Sequence, residues 1–273
     1  MKNILIATDF SNGSKNAIRI GREMSDKLNV KIIYFHSYIP PILDPNIPIG
    51  ILDETFKIGI AILEDKLKAE VEIDKIQGRK SEFYLEIGDI INGINSVSSK
   101  DNLDLVIIAK TGSSGFFEKL LGSTASHLIN NITVPILVIP ELFDDSLFEN
   151  IYYASQLEFE EILFIKETIK LSKNSQLPLT ILNTKEKSEL DINPNENFIK
   201  EIKENINQKD YSLSQKSGDN FVEEIITITE TKKISLLSVA SHKRNILSQL
   251  LNPSKTKKLI ESIKIPLLVF SFK

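Results

Sequence analysis

The chain has 273 residues, enough for one or two domains, and its 33 basic and 37 acidic residues leave a net charge of −4, which argues against a general nucleic-acid binder. It has no cysteine, which excludes disulfides, thiolate zinc sites, iron–sulfur clusters and thiol catalysis, and its three histidines are too few and too scattered to suggest a histidine metal site. No apolar run nears the ~18 residues of a membrane helix, and the opening MKNILIATDF passes straight from a short apolar run into a turn, the mark of a buried strand in a cytoplasmic protein.

Elements follow in alternation. Ile4–Ala7 is a strand, and Ala17, Ile18, Gly21, Met24 and Leu28 recur at helical spacing. Val30–His36 is a second strand, followed by the Pro-rich loop Pro40–Pro48 and a long helix carrying Phe56, Ile60, Leu63, Leu67 and Val71. Phe83, Leu85 and Ile87 alternate as a third strand. Gly88 then turns the chain, and Asp89 is placed to cap a helix burying Ile90, Ile94 and Val97. Leu105–Ala109 is a fourth strand, a helix holds Leu128 and Ile129, and Val134–Ile139 is a fifth strand. Strands so evenly apolar, separated by helices, predict a parallel sheet covered on both faces.

The pattern then repeats. Asn3–Thr8 returns as Asn150–Ser155, and Val30–Phe35 as Leu177–Leu182, both at an offset of 147. Gly88-Asp89 faces Gly218-Asp219 at 130, which sets Leu105 against Ser235, and Val134–Val138 faces Ile265–Val269 at 131. The second half therefore reads as strands Ile151–Ala154, Leu177–Leu182, Tyr211–Gln215, Ser235–Ala240 and Ile265–Phe270. Two copies make a tandem pair rather than a solenoid. The copies span 1–140 and 150–273, joined by the acidic segment 141–149, whose Leu142, Phe143, Leu147 and Phe148 suit packing.

In such sheets ligands gather at the C-terminal strand ends. In the first half those ends carry Thr8-Asp9-Phe10-Ser11, His36-Ser37-Tyr38 and Ala109-Lys110-Thr111-Gly112, with Gly122-Ser123-Thr124 opening the last helix. A glycine-rich turn running into a helix N-terminus offers free amides to a phosphate, although the same glycines and Ser123 also serve plain turn and cap roles. His127 beside Leu128 and Ile129 reads as a packing residue, and Lys110-Thr111-Gly112 with Ser254-x2-Lys257 is a chance echo of penicillin-recognising motifs in the wrong order.

These residues resemble the universal stress protein domain. That family carries an early strand ending in Asp and a loop G-x2-G-x9-G-[ST] after strand four; here Ala109-x2-Gly112-x9-Gly122-Ser123 keeps the spacing and replaces the first glycine. The resemblance covers residues 1–140 and, through the repeat, extends to the second half. It implies two tandem Rossmann-like α/β domains of the adenine nucleotide alpha hydrolase-like type, each with a five-stranded parallel sheet. By position it implies a nucleotide site at Thr8, Asp9, Ser37, Ala109, Gly112, Gly122, Ser123 and Thr124. The ligand implied is ATP or a related adenine nucleotide, with or without Mg2+, in a stress-response protein with at most weak ATP hydrolysis. A pseudo-dimer joined through the two fifth strands is a further implication, as is a homo-oligomer or protein partner. No nucleic acid, membrane, catalytic residue or resident metal is expected.

At offsets of 147 and 130 the second half sets Gln156, Thr184, Val239, His242, Asn252 and Pro253 at the corresponding positions. Proline has no N–H for a phosphate, so nucleotide is expected in the first half alone. His242-Lys243-Arg244 reads as a solvated basic turn. The competing reading is an interaction scaffold of the same fold that binds no nucleotide.

Overall fold

The computed structural model describes residues 1–40, 49–110, 128–129, 131–155, 161–186, 200, 202, 204, 206–218, 220–241 and 253–271. The chain divides into two compact units, Met1–Ile108 and Ala109–Lys273.

The first unit is built from β1 (Asn3–Ala7), α1 (Asn12–Leu28), β2 (Lys31–Tyr38), α2 (Ile49–Ile76), β3 (Ser81–Ile87), α3 (Ile90–Asp101) and β4 (Leu105–Lys110), the division falling within β4. Its strands are parallel in the order β3-β2-β1-β4. Successive side chains of β2 show why both faces need covering. Tyr34 reaches Asp74 of α2, while Phe35 packs where α3 has Gly93, whose absent Cβ leaves room for the ring. Gly21 does the same on α1, where any Cβ would collide with Ile6. Ser11 caps α1 by accepting the Ser14 amide, and Asp89 caps α3 by accepting those of Ile91 and Asn92.

The second unit contains β5 (Ile136–Pro140), β6 (Ile151–Ser155), α4 (Ile162–Ser175), β7 (Leu179–Glu186), β8 (Ser212–Gly218), α5 (Phe221–Thr231), β9 (Leu236–Ser241), α6 (Pro253–Ser262) and β10 (Leu267–Ser271). The order is β5-β10-β9-β6-β7-β8, and all neighbours are parallel except β5 and β10. Those two run antiparallel, with Val138 opposite Leu267 and Ile136 opposite Val269. The fifth strands of the two copies therefore do pair with each other, and β5 lies in the second unit. Each copy contributes five strands to this α/β fold.

The duplication extends to single hydrogen bonds. Asp104 accepts the amides of Lys2 and Asn3 at the start of β1, and Ser235 accepts those of Glu149 and Asn150 just ahead of β6. Ser25 donates to the Val30 carbonyl at 2.7 Å as Ser172 donates to that of Leu177 at 2.6 Å. Asn29 and Gln176, each in the left-handed region, end α1 and α4.

Strand register corrects one part of the sequence alignment. Ile4 lies opposite Leu105 and Ile151 opposite Leu236, so the fourth strands are related by 131 rather than 130. The third strands keep 130, because His36 faces Leu85 as Asn183 faces Gln215. One extra residue thus sits before the α5 cap Asn220, the counterpart of Asp89. Leu105 matches Leu236, not Ser235. The positions matching Ala109, Gly112, Gly122 and Ser123 become Ala240, Lys243, Pro253 and Ser254, instead of Val239, His242, Asn252 and Pro253. A one-residue slip between two evenly apolar strands leaves the hydrophobic pattern almost unchanged, so the sequence alone did not expose it.

Candidate functional site

The C-terminal end of β1 is tied into a tight turn. Thr8 is 2% exposed, and its hydroxyl accepts the Phe10 amide at 3.0 Å and donates to Ser14 Oγ at 3.1 Å. Ser14 Oγ in turn donates to the Ser11 carbonyl at 3.0 Å, linking the turn to the first turn of α1. Asp9 is half-buried, and its Oδ1 accepts the Ser11 amide at 3.0 Å. Between them Phe10 has φ +63°, a left-handed conformation that a bulky side chain adopts only at a cost of roughly 1–2 kcal/mol.

His36, near the end of β2, meets this turn. Its Nδ1 lies 2.7 Å from the Thr8 carbonyl oxygen, an acceptor, so Nδ1 carries the proton. Its ring packs against Phe10 with centroids 5.0 Å apart at 42°. The Lys66 ammonium of α2 lies 5.0 Å from the centroid of the Phe10 ring. Burial lowers the His36 pKa below the ordinary imidazole value, and Lys66 adds to that, against the opposing effects of the Thr8 hydrogen bond and the Asp9 charge. Ser37 is buried and donates to the Gly88 carbonyl, while the Gly88 amide donates to the Tyr38 carbonyl at 3.0 Å. The turn this closes requires φ +120° at Gly88, which only glycine reaches freely.

Of the residues singled out from the sequence, Thr8, Asp9 and Ser37 lie at neighbouring strand ends of the first unit. Ala109 is the buried penultimate residue of β4. Gly112, Gly122, Ser123 and Thr124 lie outside the described residues, as do Gln156, His242 and Asn252. Lys110 follows Ala109; its ammonium donates to the Glu261 carbonyl at 2.6 Å, and burial lowers its pKa. The sequence reading missed the Phe10–His36–Lys66 cluster. Phe10 stands in the strand-end run Thr8–Ser11, but nothing in the spacing links Lys66 to it.

The second unit repeats the plan with other groups. Ser155, equivalent to Thr8, donates to the buried carboxylate of Glu161, which stands where Ser14 does. Asn183, equivalent to His36, donates from Nδ2 to the Ser155 carbonyl at 3.0 Å. Hydroxyl and imidazole have been exchanged for carboxylate and amide, but the connections persist.

Among the described residues no helix is long and apolar enough to cross a membrane. The universal stress protein family model matches residues 1–140. A universal stress protein A homolog from Haemophilus ducreyi is 29% identical over 144 residues, covering 51% of this chain and 96% of the relative. The crystal structure of a universal stress protein from Archaeoglobus fulgidus is similar across 98% of both chains, at a TM-score of 0.73 and 19% identity. A protein of unknown function from Pseudomonas aeruginosa is similar over 99% of this chain and 92% of its own, at a TM-score of 0.66 and 10% identity. At those identities the two structures share the fold, while the family match covers the half that carries the candidate site: the chain belongs to the universal stress protein family.

Proposed function

We propose that the chain is a cytoplasmic stress-response protein that binds one ATP, or a related adenine nucleotide, in its first half. The observation that carries this reading is the Thr8–Ser11 turn at the C-terminal end of β1, where a half-buried Asp9 is held with one oxygen on a backbone amide. The donor set fits the ligand. A carboxylate suits the N–H of an adenine amine, and Gly112, Gly122, Ser123 and Thr124 would supply amides and hydroxyls to phosphates. Bound Mg2+ would neutralise phosphate charge. Residues 1–140 and 150–273 are the two copies, joined by 141–149. The second copy has Lys243 and Pro253 in place of Gly112 and Gly122 and is read as a degenerate partner that binds no nucleotide.

Calorimetric titration of the dialysed chain with ATP, with and without Mg2+, tests this. One site per chain is expected. Asp9→Ala should weaken it by roughly tenfold or more, since a lost charge-assisted hydrogen bond is about 1.5–3 kcal/mol, and Gly122→Val should abolish it by placing a side chain in the phosphate approach. Ser254→Ala should leave it unchanged. No heat at millimolar ATP would favour the interaction scaffold instead.

A further inference from the structure

The nucleotide reading assigns Asp9 a contact but does not say what holds it in place. Resting on that reading, we propose that His36 is the positioning residue of the site: its hydrogen bond to the Thr8 carbonyl, with its packing against Phe10 in support, keeps the Thr8–Ser11 turn in the strained form that presents Asp9.

Phe10 at φ +63° would relax if nothing restrained it. Rotating φ and ψ there would also re-aim the peptide groups on either side, and Asp9 Oδ1 would lose the Ser11 amide. Three of the restraints on the turn bear on Thr8 and Phe10. The Phe10 amide is held by Thr8 Oγ1, the Thr8 carbonyl by His36 Nδ1, and the Phe10 ring by the His36 ring on one hand and the Lys66 ammonium on the other. His36 alone contributes to two of them. Among the described residues, the charged groups that act on it are Asp9 at the end of β1 and Lys66 on α2, and on β3 its register neighbour is the apolar Leu85. Burial disfavours the charged form of this half-buried imidazole, and its Nδ1–H is committed to the backbone.

The second copy separates the two contributions. Asn183 reproduces the hydrogen bond to the strand-end carbonyl at 3.0 Å without an aromatic ring, and Leu157 stands at the position of Phe10. The backbone clamp is therefore the part common to both copies, and the aromatic packing belongs to the copy that carries Asp9.

Wild type, His36→Asn and His36→Ala in the full chain test the proposal with two readouts. The first needs no ligand: a left-handed Phe10 has a strong intraresidue amide-to-Hα NOE. The second is ATP affinity, compared at equal folded fraction as judged by circular dichroism. His36→Asn, which keeps the amide donor, is expected to retain the NOE and bind within roughly threefold of wild type. His36→Ala is expected to lose the NOE and bind roughly tenfold more weakly. A folded His36→Ala chain with the NOE and the affinity of wild type overturns the proposal. So does His36→Asn behaving as His36→Ala does in both readouts. Absence of ATP binding by wild type overturns the nucleotide reading and, with it, the role assigned to His36 in the site; the NOE then still reports whether His36 holds the turn.

Discussion

Asp74 has no exposed side-chain surface, yet it accepts hydrogen bonds from Tyr34 at 2.6 Å, from Arg22 at 2.7 Å and from Arg79 at 3.3 Å. Arg22 also pairs with Glu70, and Arg79 with Asp26, so α1, β2 and the end of α2 are joined through one carboxylate. The second copy has buried Ile169 and Ile181 at the positions of Arg22 and Tyr34. Removing one member of a buried ion network strands the others, whereas replacing the whole by apolar groups avoids the desolvation cost. Asp74→Ala should therefore lose about 3–5 kcal/mol in urea unfolding. The combined Arg22→Ile, Tyr34→Ile, Asp74→Leu chain should lose far less than the single variant. His36 gives a pH signature at the same scale. Its pKa is lowered on folding from the ordinary 6.5, so the unfolded chain takes up the proton first as pH falls. The contribution is full above that value and declines as pH drops from 6.5 through the lower folded value. Thermal unfolding should show this loss in wild type and not in His36→Asn, which lacks the titrating ring.

At the scale of elements, caps were the most legible feature. Gly88-Asp89 before Ile90, Ile94 and Val97 announced a turn and a capped helix, and Asp89 Oδ1 accepts the Ile91 amide at 2.9 Å. Asn220 plays the same part for α5, accepting the Val222 amide at 3.0 Å. Asp89→Ala and Asn220→Ala should each cost about 1 kcal/mol in chemical denaturation. Strand identity was also legible because burial on both faces demands an unbroken apolar run, as in Leu105–Ala109. Strand ends were not: β2 continues through Ser37 and Tyr38, and β8 through Lys216, Ser217 and Gly218, where pairing with neighbouring strands overrides polar composition. The candidate site was legible only at its chain-local part. Thr8, Asp9 and Ser11 are adjacent in sequence, and their turn chemistry is local. Lys66 reaches Phe10 from 56 positions away through tertiary packing. Register between similar apolar strands was also misread, through the extra residue before Asn220, and Leu142 of the joining segment is exposed while Phe143 and Leu147 are buried.

For the whole molecule, the matched hydrogen bonds of Asp104 and Ser235, and of His36 and Asn183, are those expected of two descendants of one domain. Divergence has run unevenly between them. The first copy keeps Asp9 and the spacing of Gly112 and Gly122; the second has a buried Glu161 at its strand-end turn and Pro253 in place of Gly122. With Gln156 in place of Asp9 and a proline that has no amide in place of Gly122, the second copy lacks both contacts, so the account predicts a chain with two copies of a fold and one working site. Native mass spectrometry of the chain with ATP counts the ligands directly. At an ATP concentration near the wild-type Kd, a single adduct that falls sharply in Asp9→Ala and persists in Ser254→Ala is the predicted result; two adducts per chain, or one undiminished in Asp9→Ala, would contradict it.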